Sequence, residues 1–385
     1  MGRAVVAALL MLTASAATGH AGASGSAAAT TVGGRTPPLP EVEGPIAGPG
    51  LYLDPLEQNF PLSAAELGYV FEEYFVSGTA AGEPYTVRML LARPADLDGL
   101  FSGNVLVEPK HATGIPFLWN FTREYLAAQG HAAVEVSVFP STVEETLKGA
   151  NPERYADLRV TADQESDIFA QVGRLLKSAR TPLPGAEQLY MTGHSMAAGP
   201  VWRYMDTHHD RYRLGRGRPI YDGFFPETTR TASSLGPFPE VDVPTVLLNS
   251  ELEVQAVLVE QGINYRRPDS DRPGRQFRLY EVAGMPHNPT WRHPLLVGAD
   301  HTCAQPPNDF PYESIVSIAL DHLIAWVDEG VSPPRAERIA VEGDPARPTA
   351  IARDDHGNAL GGIRTTTMDG RHPHRHELRE LPRRG

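Results

Sequence analysis

The sequence predicts an α/β fold: a mostly parallel, doubly wound sheet with helices on both faces and loop insertions over one end. Three observations carry that expectation. Short apolar runs alternate along the chain with helical stretches, the pattern that parallel strands need because each crossover must carry the chain back to the start of the next strand. One run, Gln188 to Thr192, is followed by a turn of small residues and then by a helical pattern. The chain has 385 residues, 41% of them hydrophobic, enough for one large core.

The elements follow in order. Tyr69 to Val76 and Tyr85 to Ala92, separated by a Gly-containing loop, read as an antiparallel pair that opens the sheet. Asn104 to Glu108 and Ala132 to Val138 are short apolar strands with a helical pattern from Leu118 to Gln129 between them, which makes a βαβ unit. Asp163 to Ser178 places Ile168, Phe169, Val172, Leu175 and Leu176 at helical spacing, and residues 197–207 form the next helix. Pro219 to Phe224, Pro244 to Asn249 and Gln276 to Glu281 are further strands, and Tyr312 to Glu329 is a late helix ending at Gly330. Residues 225–243 and 256–274 lack periodicity and fall where this topology puts loops above the carboxyl ends of the strands, so they are expected at the rim of a pocket.

The ends of the chain differ from its body. Residues 1–29 read as a signal peptide and leader: Arg3, then the apolar run Ala4 to Leu12, then small-x-small cleavage patterns at Ala14-Ser-Ala16, Ala21-Gly-Ala23 and Ala27-Ala-Ala29. That run is too short to span a bilayer, and no later segment reaches the roughly 18 apolar residues a span needs. A secreted or extracytoplasmic protein is the expectation. Residues 30–49, poor in large apolar side chains, read as a flexible tether, with ordered structure starting near Leu51; residues 50–364 are the domain. Residues 365–385 read as a disordered His/Arg-rich tail whose His372, His374 and His376 lack the carboxylate or cysteine partners of a closed metal site. The single cysteine, Cys303, allows no internal disulfide. A net charge of −13 provides no general positive field for a phosphate backbone, so nucleic acid is excluded as the expected partner.

The chemistry concentrates in Tyr190-Met-Thr-Gly-His-Ser-Met-Ala-Ala-Gly199. A serine between strand and helix, with small residues two before and two after it, is the context of a nucleophile elbow, and Gly193 and Ala197 fill those places around Ser195. A serine hydroxyl needs a base, and the helix beginning after Ser195 adds a positive end. The bare motif also fits a serine N-cap, so partners decide. In the α/β-hydrolase fold they follow in the order Ser, acid, His. His287, on a tight loop after the Gln276–Glu281 strand, is the expected base, and Ser250-Glu-Leu-Glu-Val254 offers Glu253 as the acid with Glu251 as the alternative. The oxyanion donors are expected to be the backbone N–H of Met196 and a group on the loop after Glu108, either Lys110 or His111.

Taken together, Asn104 to Glu108, Asn151-Pro-Glu-Arg-Tyr-Ala-Asp-Leu158, the elbow, Ser250 to Val254, Val282-Ala-Gly-Met-Pro-His287 and Asp354 to Arg364 resemble the alpha/beta hydrolase domain family of secreted bacterial and fungal proteins. The resemblance runs from about residue 50 to 364 and implies the α/β-hydrolase fold with a Ser–acid–His triad at Ser195, Glu253 and His287. Glu253 stands where the family commonly has Asp, and Pro109 and His111 replace residues that are more often Trp and Asn. The function implied is hydrolysis of small carboxylic esters without metal or organic cofactor. Two other readings use the same site: an acyltransferase, in which an alcohol or amine replaces water, and a hydrolase-fold binding protein without turnover.

Overall fold

The protein is described by a computed structural model that covers residues 34–53, 60–112, 117–229, 237–288 and 310–366. The signal-peptide reading of residues 1–29, Cys303 and the tail beyond residue 366 lie outside the described residues.

The strands are β1 (Glu41–Glu43), β2 (Tyr69–Ala80), β3 (Glu83–Pro94), β4 (Asn104–Pro109), β5 (Ala132–Val136), β6 (Gln188–His194), β7 (Gly223–Glu227), β8 (Thr245–Ser250) and β9 (Phe277–Val282). They form one sheet in the order β1-β2-β3-β5-β4-β6-β7-β8-β9. From β5 to β9 all neighbours are parallel, while β1, β2, β3 and β5 pair antiparallel. The four longer helices among the described residues are α1 (Phe117–Gln129), α2 (Glu165–Leu176), α3 (Ala198–Thr207) and α4 (Tyr312–Asp328).

Period-two alternation assigns the layers. Val105, Val107, Leu189, Met191, Leu247 and Leu279 face α2 and α3, meeting Ile168, Phe169, Val172, Val201 and Trp202. Leu106, Tyr190, Val246, Leu248 and Tyr280 face the other way, onto Leu118, Phe121 and Leu126 of α1 and Val316, Leu320 and Leu323 of α4. Each such buried side chain contributes about 1.5–3 kcal/mol. The central strands are covered on both faces, which is why they read as unbroken apolar runs.

Two expectations need correction. Residues 34–49 are not a free tether. β1 pairs with β2, and Leu39 and Val42 pack on the core. The Arg154 guanidinium donates to the carbonyls of Ile46 and Ala47 at 3.0 and 3.1 Å, and Arg174 donates to that of Pro37. Side-chain composition misses this because what the body binds is largely the segment's backbone carbonyls. The strand expected at 219–224 enters the sheet only at Gly223: the Asp222 carboxylate accepts from the Leu189 N–H at 2.8 Å and pairs with Lys177 at 2.5 Å. Beyond α4 the chain forms a hairpin, β10 (Val341–Asp344) and β11 (Arg347–Ile351), then returns so that Ile363 bridges Val282 in parallel at the edge of β9. The Ile363 N–H donates to the Glu281 carbonyl at 2.8 Å and the Ala283 N–H to that of Ile363 at 2.9 Å.

At the opposite end of the sheet from Ser195, the buried His131 ring receives the Ser102 hydroxyl on Nδ1 at 2.7 Å. Burial pulls its pKa from 6.5 to about 4. The unfolded chain therefore takes up this proton first, and stability falls as the pH drops from about 6.5 to about 4, by on the order of 3 kcal/mol. Urea unfolding of wild type and His131→Asn at pH 7 and pH 4.5 checks this: the variant is expected to lose much of the pH dependence. Equal slopes would count against it.

Candidate active site

Ser195, Glu253 and His287 all lie just past the carboxyl ends of parallel strands, β6, β8 and β9, where α/β sheets place their ligands.

The elbow is sharp for a measurable reason. Ser195 has φ 55°, a left-handed conformation that costs a non-glycine residue on the order of 1–2 kcal/mol. A Cβ on Gly193 would stand 2.3 Å from the Ala197 carbonyl oxygen, so no side chain fits there. Ala197 is itself buried, whereas Met196 projects outward, 44% exposed. The Met196 N–H lies in the first helical turn, among the donors that a helix leaves without intrahelical partners.

His287 joins the serine to a carboxylate. Its Nε2 accepts the Ser195 hydroxyl at 2.8 Å, and its Nδ1–H donates to Glu253 Oε1 at 2.6 Å. Glu253 is fully buried, and its other oxygen accepts from the Ser250 hydroxyl at 2.5 Å. The local sequence explains its direction. Ser250 caps the short helical turn Glu251–Glu253, its hydroxyl accepting from the Leu252 N–H at 3.1 Å, while Glu253 reaches back to the Ser250 N–H at 3.3 Å. This Ser-x-x-Glu capping box turns the third residue toward the end of β8. Burial pushes the Glu253 carboxyl up. The His287 hydrogen bond and charge and the Ser250 hydroxyl outweigh that and hold it below its ordinary value.

Glu251, the alternative acid, does not approach His287. Each helical residue turns about 100°, so residues 251 and 253 lie on opposite sides of the turn and their carboxylates point apart. Glu251 instead accepts from the Gly284 N–H at 2.8 Å and pairs with Arg353 at 2.7 Å, tying the loop that carries His287 to the segment after β11.

Of the two candidates for the second oxyanion donor, Lys110 is ruled out. Its N–H donates to the Val136 carbonyl at 2.8 Å and its buried ammonium pairs with Glu135 at 2.9 Å, because the chain is still following the sheet at that point. His111 remains at the mouth of β4, its ring edge-on to Phe117 at 4.8 Å and its carbonyl accepting the Thr142 hydroxyl at 3.2 Å. Residues 113–116 of the same loop lie outside the described residues.

Several residues at the site were not anticipated. His194, next to the serine, is buried with its ring 5.1 Å from that of His287, and Tyr312, at the start of α4, donates to the His287 carbonyl at 3.3 Å. Glu227 and Thr228 at the end of β7 flank His194. A charged residue closing an apolar strand, as Glu227 does, was the available signal.

Among the described residues, one group of metal-ligating side chains comes within 4.8 Å: His209, Asp210 and Asp242. Arg213 already occupies it, donating to Asp210 at 2.5 Å and to Asp242 at 3.1 Å. It lies beyond the far end of α3, some 15 Å of helix from Ser195. No described helix is long and apolar enough to cross a membrane.

A serine on a strained strand-to-helix turn, followed in the chain by a carboxylate and a histidine on later strand ends, is the layout of an α/β-hydrolase. The sequence profile of the family described as "Alpha/beta hydrolase domain" matches residues 37–370, and the chain belongs to that family. Among curated proteins none matches. Solved structures with a similar fold include a thermostable esterase from Pseudomonas putida, 14% identical, covering 70% of this chain and 90% of its own, with a TM-score of 0.38. Another is a cold-adapted esterase from an Arctic intertidal metagenomic library, 14% identical, covering 66% of this chain and 94% of its own, with a TM-score of 0.34.

Proposed function

We propose that the protein is a secreted serine hydrolase that cleaves carboxylic esters through a Ser195–His287–Glu253 triad and an acyl-enzyme intermediate. The observation that carries this reading is the unbroken hydrogen-bond chain from Ser195 Oγ through both nitrogens of His287 to the buried Glu253. Ser195 Oγ attacks the ester carbonyl carbon while its proton passes to His287 Nε2; Glu253 holds the imidazole in the productive tautomer and stabilises the imidazolium. The Met196 N–H receives the oxyanion, with the loop at His111 as the source of the second donor. Collapse of the intermediate expels the alcohol with the proton from His287. Water, deprotonated by the same nitrogen, then releases the acid. No metal or organic cofactor is assigned to any step. The N-terminal Arg3, apolar run and small-residue pattern support export.

A fluorophosphonate probe applied to protein beginning near residue 30 tests the reading, alongside a panel of p-nitrophenyl esters run with and without added alcohol. Stoichiometric labelling at Ser195 and release of free acid are expected. A folded protein that takes up no probe would overturn the enzyme reading, and an acyl-alcohol product in place of free acid would turn it to acyl transfer.

A further inference from the structure

The proposed reaction uses one of two imidazoles whose rings lie 5.1 Å apart. The other, His194, is 1% exposed and held from every side. Its Nε2–H donates to Asn288 Oδ1 at 2.8 Å. Around Nδ1 stand the Thr228 hydroxyl at 2.9 Å, Glu227 Oε1 at 3.2 Å and the Tyr312 hydroxyl at 3.3 Å. Phe117 and Phe121 close the ring in, at centroid distances of 4.3 and 5.4 Å.

Two features mark this as more than core packing. Thr228 has φ 44°, an outlier for a β-branched residue, of the kind that persists where surrounding contacts over-determine the backbone and that clusters at functional sites. Glu227 is buried, and its Oε2 has no hydrogen-bond partner among the described residues. Both features bear on a ring whose far nitrogen holds the residue next to His287.

We infer that His194 is a positioning residue for the base: through Asn288 and its tilted ring contact it fixes the loop end that keeps His287 Nε2 on the serine. The inference rests on the triad reading. The hydroxyl distance of 2.8 Å depends on where the His287 backbone sits, and that backbone is tied at Gly284 by Glu251, at the His287 carbonyl by Tyr312 and at the Asn288 side chain by His194. A displacement of about 1 Å costs on the order of 100-fold in rate.

The test is a series with p-nitrophenyl acetate on intact protein: His194→Asn, His194→Gln, Asn288→Ala and the double variant His194→Asn/Asn288→Ala. Asparagine does not reach the Nε2 position, whereas glutamine carries an amide there. His194→Asn and Asn288→Ala are each expected to lose roughly 10- to 100-fold in kcat with KM nearly unchanged, His194→Gln to recover most of the loss, and the double variant to lose no more than either single, the mark of one shared interaction. Asn288→Ala, on a half-buried side chain, keeps the test available if His194→Asn fails to fold. A His194→Asn kcat within about twofold of wild type, additive losses, or a His194→Gln as slow as His194→Asn would each overturn the inference. Probe labelling of the wild type is read separately: without it the triad reading itself falls, whatever the variants do.

Discussion

Ser195→Ala is expected to lower kcat/KM for a p-nitrophenyl ester by at least about 10⁴-fold and to abolish fluorophosphonate labelling, with the melting temperature kept or raised. The chemical part follows from removing the atom that, in the proposed mechanism, forms the acyl-enzyme; what survives is background from the oxyanion donors and binding. The stability part follows from φ 55° at Ser195. That backbone is set by the Gly193–Ala197 approach rather than by the hydroxyl, so alanine inherits the strain while losing only a polar group from a buried position. Steady-state assays and a thermal melt on the same preparation check both. Activity within tenfold of wild type would remove Ser195 from the mechanism.

The second large effect separates two glutamates two residues apart. Glu253→Gln is expected to cost roughly 10³- to 10⁴-fold in kcat. The amide is isosteric, but an N–H turned toward His287 favours the tautomer whose Nε2 carries the proton and cannot accept one from Ser195. Glu251→Gln is expected to keep kcat within about tenfold while lowering the melting temperature, because it weakens the contacts with Arg353 and the Gly284 N–H without touching the imidazole. Parallel kinetics and melts decide. If Glu251→Gln carries the larger kinetic loss, the acid is misassigned.

The strands and helices that position the site were legible in the sequence because each is buried on both faces or along one stripe. Apolar continuity in Val105 to Val107 and helical spacing in Ile168 to Leu176 come directly from that burial. β1 and β10 were not legible, since both are short edge strands with mostly exposed or half-buried residues, held by backbone pairing that leaves no side-chain pattern. At the site, the order Ser195, acid, His287 could be read from the fold's chain order. The choice between Glu251 and Glu253 is legible there too: Ser250 and Glu253 form a capping box, a local rule that fixes side-chain direction. Lys110 falls just past Pro109, a residue that ends strands, so the sequence does not show that the Lys110 N–H still pairs with Val136 of β5. His194 and Glu227 could be seen only as residues; their meeting depends on β6 and β7 lying side by side.

The edge contact of Ile363 with Val282 and the pairing of Arg353 with Glu251 have a consequence in time. A chain emerging from its amino end has its serine, acid and base in place in sequence well before residues 353–363 arrive to brace the loops bearing Glu253 and His287. A growing or truncated chain that stops short of that return segment thus carries all three reacting groups without the brace that holds two of them. Such a chain is expected to be poorly active, so activity begins only once residues 353–363 are in place.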